Sequence, residues 1–86
     1  MALTLEVVSP RGVVAREGGL DRVVVRRREP DYDPGSEVAI LPHHGPLLMQ
    51  TQPCTLRITR AGNTHELKVD AGVLEVVSDH ITLVET

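Results

Sequence analysis

Residues 38 to 48, Val-Ala-Ile-Leu-Pro-His-His-Gly-Pro-Leu-Leu, constrain the fold more than any other stretch of the chain. Proline has no N–H to give to a ladder of strands, so Pro42 and Pro46 cannot both lie inside one long strand. The segment therefore divides into an apolar strand (Val38 to Leu41), a polar corner (His43-His44-Gly45) and a second apolar strand that starts at Leu47. A chain that turns corners this abruptly between apolar runs is built from short strands.

The rest of the sequence follows the same grammar. Leu3, Leu5 and Val7 alternate with Thr4 and Glu6, which puts the three apolar residues on one face. Pro10-Arg11-Gly12 turns the chain into a short return strand at Val13-Val14-Ala15, and Gly18-Gly19 reads as a second turn. From Leu20 to Arg28 the pattern alternates again, with Val23 and Val25 facing in and Arg22, Val24, Arg26 and Arg28 facing out. Residues 29–36 hold two Pro, one Gly and three acids, so they form a loop. Strands then follow at Leu47 to Thr51, at Leu56 and Ile58 after the break at Pro53-Cys54, and at Glu66 to Asp70. Ala61-Gly62-Asn63 carries the turn chemistry of a hairpin between the last two. Val73 to Val77 and His80 to Val84 close the chain, joined by Ser78-Asp79, with His80 read as part of the turn. Nine to ten short strands with turns about every 8 to 12 residues predict an all-β domain, a small β-sandwich or flattened barrel.

Composition supports this reading. Val is heavily used, there is no Phe or Trp, and the single aromatic is Tyr32, so the core is aliphatic. No window shows a capped 3.6-residue apolar period. The 86 residues make one domain, residues 1–86, of a size that buries only about 60–65% of its unfolded surface. The net charge of −3, with signs interspersed, gives no basic face for nucleic acid. Arg26-Arg27-Arg28 is followed at once by Glu29, Asp31 and Asp33, which makes it a solvated or salt-bridged strand end. The lone Cys54 forms no internal disulfide and suits a reducing compartment. No apolar run approaches the roughly 20 residues that span a bilayer, so membrane association would come only through a partner.

Catalytic and cofactor chemistry finds no foothold. His43 and His44 are adjacent, so their side chains diverge, and His65 and His80 stand in a hairpin and a turn. A structural zinc site wants four converging Cys or His ligands, and the chain has one Cys, so no metal is expected. Ser9, Ser36 and Ser78 lie outside any nucleophile-elbow context, and nothing nearby in sequence lowers the pKa of Cys54. Gly18-Gly19 and Gly35 are not followed by a phosphate-loop signature. No cofactor is expected, and no enzyme can be assembled from these residues.

The order Leu41-Pro42-His43-His44-Gly45-Pro46-Leu47-Leu48 resembles the Leu-Pro-Gly-His-Ala-Pro-Leu-Leu hallmark of the F-type ATP synthase epsilon subunit, in its N-terminal β-sandwich domain. His43 replaces the usual Gly there, and Gly45 the usual Ala. Ala71-Gly72-Val73-Leu74-Glu75-Val76, with Asp79-His80-Ile81-Thr82-Leu83, is similar to that family's Gly-Gly-Ile/Phe-Leu-Glu-Val and Asn-His-Val-Thr-Val ending. Leu5-Glu6-Val7-Val8-Ser9 fits its opening. Cys54 stands where the family usually has Gly, and the 29–36 loop is several residues longer than the family's.

The resemblance implies a non-catalytic rotor subunit of a proton- or sodium-translocating ATP synthase. It would dock gamma onto the polar loops of the c-ring, at the cytoplasmic face of the bacterial inner membrane. By motif, Glu37, His43 and His44 would face the c-ring loops, and Ser9 and Met49 would lie near gamma; a hydrogen bond that shapes the loop is the plainer role for His44. Family members of the usual length continue into a C-terminal helical hairpin. Residues 1–86 are then either a naturally short chain or a chain cut at the domain boundary, and this span holds no segment able to inhibit ATP hydrolysis or bind ATP by the helical route. The alternative reading is a stand-alone small β-sandwich protein-binding module, which copurification with a gamma subunit would discriminate.

Overall fold

The computed structural model describes residues 2–28, 35 and 37–86. Nine strands run in chain order: β1 (Leu3–Ser9), β2 (Gly12–Leu20), β3 (Arg22–Arg27), β4 (Val38–Ile40), β5 (Leu47–Thr51), β6 (Cys54–Arg60), β7 (Asn63–Val69), β8 (Gly72–Val77) and β9 (His80–Glu85). They form two sheets, one in the order β2-β1-β9-β8-β5 and one in the order β4-β3-β6-β7. The fold is a β-sandwich. Apart from Gly35, the expected 29–36 loop lies outside the described residues.

The period-two apolar pattern decides which face of each strand turns inward. Leu3, Leu5 and Val7 of β1 are fully buried, as are Leu56 and Ile58 of β6, Leu74 and Val76 of β8 and Ile81 and Leu83 of β9. Burying an aliphatic side chain contributes about 1.5–3 kcal/mol, so these two inner faces supply most of what holds the sheets together. β1 and β9 pair in parallel at the middle of the larger sheet, with Leu5 opposite Ile81 and Val7 opposite Leu83. The first and last strands are thus central, flanked on both sides by antiparallel partners.

Registers and connections place the turns at two ends of the sandwich. One end carries the β2–β3 corner at Asp21, the β4–β5 connection, the β6–β7 turn and the β8–β9 turn. The other carries the β1–β2 turn, the β3–β4 connection, the β5–β6 and β7–β8 connections and Thr86. Below these are called the first end and the second end.

Three local expectations are corrected. Gly18-Gly19 is a bulge inside β2 and not a turn: Leu3 and Leu5 pair with Leu20 and Glu17, so β2 carries one extra residue there. Gly19 has φ of 67°, and a bulge needs positive φ as readily as a turn does, so the Gly-Gly signal alone does not separate them. The true corner is Asp21, whose N–H goes to the Thr59 carbonyl at 2.8 Å while its carboxylate accepts the Ala61 N–H at 2.8 Å. Secondly, the closing strand begins at His80 as expected, so His80 belongs to β9 and not to the turn, which holds only Ser78 and Asp79. Thirdly, Arg28 does not face solvent from a strand. It is half-buried past the end of β3, where its guanidinium donates to the carbonyls of Val69 at 2.7 Å and Cys54 at 3.3 Å.

Candidate functional site

The corner predicted from two prolines is present. Leu41 to Gly45 cross from β4, an edge of the smaller sheet, to β5, an edge of the larger one. The His44 N–H donates to the Leu41 carbonyl at 3.1 Å, which closes a four-residue turn with Pro42 and His43 in its centre. His43 has φ of 68°. Types I′ and II′ require positive φ at the first central position, and proline is locked near about −65°, so the turn is type II. Such a turn wants Gly second; here His43 occupies that place. Gly45 gives its carbonyl to the His44 ring, Nδ1 to O 2.7 Å, and this contact orients the half-buried imidazole. His43 is exposed.

Against this turn lies the β8–β9 hairpin. Ser78 and Asp79 have φ of 49° and 64°, the signature of a two-residue type I′ turn. The Asp79 carboxylate accepts the His43 N–H at 2.7 Å, and the Asp79 carbonyl accepts the Thr4 N–H at 3.0 Å. One residue thus joins the histidine turn, the hairpin and the start of β1. His80, next along, meets the Thr4 hydroxyl through Nδ1.

The other sequence-predicted residues stand apart from this corner. Glu37 precedes β4 at its opposite end, so β4 separates it from the histidines, and its carboxylate pairs with the Arg26 guanidinium at 3.1 Å. Glu37 and the histidine turn therefore share one edge of the sandwich without touching. Ser9 ends β1 at the second end. Its hydroxyl accepts the Arg11 N–H at 3.1 Å and donates to the Gly12 carbonyl at 3.2 Å, which closes the β1–β2 turn. Met49 is half-buried in β5, opposite Leu74, and packs against the core, while its neighbour Leu48 is 72% exposed.

The four histidines are dispersed. His65 reaches across from β7 to Glu17 of β2 at 2.9 Å and bridges the two sheets at that side. Among the described residues no three His, Cys, Asp or Glu are placed to hold a metal ion. Cys54 is buried; burial pushes its thiol pKa up, Arg28 opposes this and Glu85 adds to it. No helix of the described residues is long and apolar enough to cross a membrane.

Sequence reading missed two residues with a clear task here. Asp79 was visible only as part of a turn, because its partner is 36 residues away. Gly72 was visible only as part of a motif. A Cβ at Gly72 would lie 2.1 Å from the Val84 carbonyl oxygen, so β8 and β9 can close at this point only around a glycine.

Residues 2–85 match the family model for the ATP synthase, Delta/Epsilon chain, beta-sandwich domain. The ATP synthase epsilon chain of Acidithiobacillus ferridurans is 36% identical over 83 residues, covering 96% of this chain and 55% of the relative. That of Carboxydothermus hydrogenoformans is 36% identical over 81 residues, covering 94% of this chain and 55% of the relative. The chain thus spans about half the length of these curated relatives. A solved chain from the central stalk and c-ring of the Tetrahymena thermophila mitochondrial ATP synthase shares the fold, with a TM-score of 0.65 at 14% identity over 96% of this chain and 63% of that one. With nearly its whole length matched in sequence and the two-sheet sandwich matched in structure, the chain belongs to the family of the ATP synthase delta/epsilon-chain β-sandwich domain.

Proposed function

We propose that this chain is the sandwich domain of a central-stalk rotor subunit in an F-type ATP synthase, where it couples the gamma subunit to the c-ring. The observation that carries this reading is the family match over residues 2–85, together with relatives named ATP synthase epsilon chain. The mechanics agree. A part that passes torque must resist bending, and two sheets with fully buried aliphatic inner faces form a stiff body. The domain contributes no chemistry of its own; its work is to hold two moving parts in register. Its place would be the cytoplasmic face of the bacterial inner membrane, within the F1 sector.

The docking faces are assigned by motif, and the geometry is compatible with them. Glu37, His43 and His44 line one edge, from the Arg26 ion pair to the type II turn, and present polar groups suited to the repeated polar loops of a c-ring. Ser9 would lie near gamma from the β1–β2 turn, and Met49 would lie near it on the β5 edge strand, where it packs against the core beside the exposed Leu48. Purified chain mixed with purified gamma subunit tests the reading. Co-elution in gel filtration is expected, and calorimetry with ATP alone is expected to give no binding heat. Separate elution, or a sub-millimolar ATP constant, would overturn it.

A further inference from the structure

Left-handed backbone in residues other than glycine is costly, and its occurrences point to where a fold is held deliberately. Among the described residues four such positions occur: His43, Ala61, Ser78 and Asp79. Three of the four meet at one corner, where the Leu41–His44 turn rests on the β8–β9 hairpin. At that corner a side-chain hydrogen bond links the two turns, 2.7 Å from the His43 N–H to the Asp79 carboxylate.

We infer that Asp79 is a positioning residue for the proposed docking turn: its carboxylate holds His43 in the left-handed conformation that a type II turn demands, and so fixes where His43 and His44 stand. Any inference about docking rests on the reading above; the hold on the turn does not. A type II turn at Leu41-Pro42-His43-His44 would form freely with Gly at its third position. His43 brings a Cβ to that position and adopts φ of 68° all the same. A charge-assisted hydrogen bond to its amide is the stronger kind of contact, and it acts on the very residue whose conformation is disfavoured. Asp79 is itself fixed, because its carbonyl takes the Thr4 N–H and its turn is clasped by Val77 opposite His80. The coupling follows from a side chain at position 43, since a glycine there would need no such restraint.

The test uses the hairpin's own preference. Asp79 sits at the second position of a type I′ turn, where Gly is the favoured residue. Asp79→Gly therefore removes the carboxylate while leaving the hairpin at least as comfortable. Amide hydrogen exchange of the full chain, followed by NMR, should show the His43 amide exchanging about tenfold faster in Asp79→Gly, with the Tm not lowered. Asp79→Asn keeps an acceptor oxygen and should restore slow exchange. Binding to purified c-ring should weaken in Asp79→Gly and return in Asp79→Asn, which leaves His43 and His44 in place. Unchanged His43 exchange in Asp79→Gly, or failure of Asp79→Asn to restore it, would overturn the inference. Faster exchange with unaltered c-ring binding would support the positioning role and instead remove this turn from the docking face.

Discussion

The two ends of the sandwich are built by different means. At the second end strands are closed by direct packing and capping: Gly72 lies against the Val84 backbone, its N–H donates to the buried Thr51 hydroxyl at 3.1 Å, and Arg28 caps the carbonyls of Cys54 and Val69. At the first end the main chain is held in costly conformations by hydrogen bonds, at His43, Ser78 and Asp79, while the His43 side chain is left facing outward. The contrast separates two tasks. Tight closure at one end secures neighbouring strands within each sheet, and restrained turns at the other present polar groups in a fixed pose.

If that division is right, substitutions at the second end should act on stability and those at the histidine corner on assembly. The largest effect is expected for Gly72→Ala. Its Cβ would meet three backbone atoms at 2.1, 2.8 and 3.0 Å, none of which can rotate away. Separation of β8 from β9 at this point should cost about 2 kcal/mol or more, a Tm fall of roughly 10 °C for a domain this size, measured by thermal melts. Arg28→Ala comes next, at about 1–2 kcal/mol in urea titration, because two carbonyls lose a charged donor and the aliphatic stem of the side chain is lost with it. Arg28→Lys should recover only part of this, since one ammonium does not span both carbonyls as the fork does.

His43→Gly should act in the opposite direction. Relief of the left-handed strain outweighs the added freedom of the unfolded chain, for a gain of ~0.5 kcal/mol. A loss of stability there would show that the imidazole makes a contact of its own and would blur the contrast between the ends. The smallest stability effect is expected for Glu37→Ala combined with His44→Ala, less than about 0.5 kcal/mol by melting, with weakened binding to the c-ring. If this double variant unfolds, the β4 edge belongs to the structural part of the molecule.

How far these features can be read from sequence depends on the range of the forces behind them. The alternation in Leu3-Thr4-Leu5-Glu6-Val7 and in Leu56-Arg57-Ile58 is local, and the buried faces follow directly from it. Pro42 and Pro46 likewise forced the corner, and the β5 bounds, Leu47–Thr51, agree with expectation. Gly18-Gly19 was misread because a bulge and a turn ask for the same backbone freedom. Arg28 looked like a solvated charge because the two carbonyls it caps belong to β6 and β7, which are distant in sequence. The same distance hid Asp79, and nothing near Gly72 announces that Val84 lies against it. For the site, the residue types, the turn and the strand between Glu37 and the histidines were legible; that the β8–β9 hairpin lies against the histidine turn was not, since that contact joins residues distant in sequence.

The central claim, that this sandwich joins gamma to the c-ring, is tested most directly by co-expressing the chain with both partners and isolating it through a tag on the chain itself. The account predicts one assembly in gel filtration that contains all three components, and loss of the c-ring but not of gamma from the Glu37→Ala, His44→Ala variant. Gamma and c-ring assembling together while the folded wild-type chain elutes alone would contradict it.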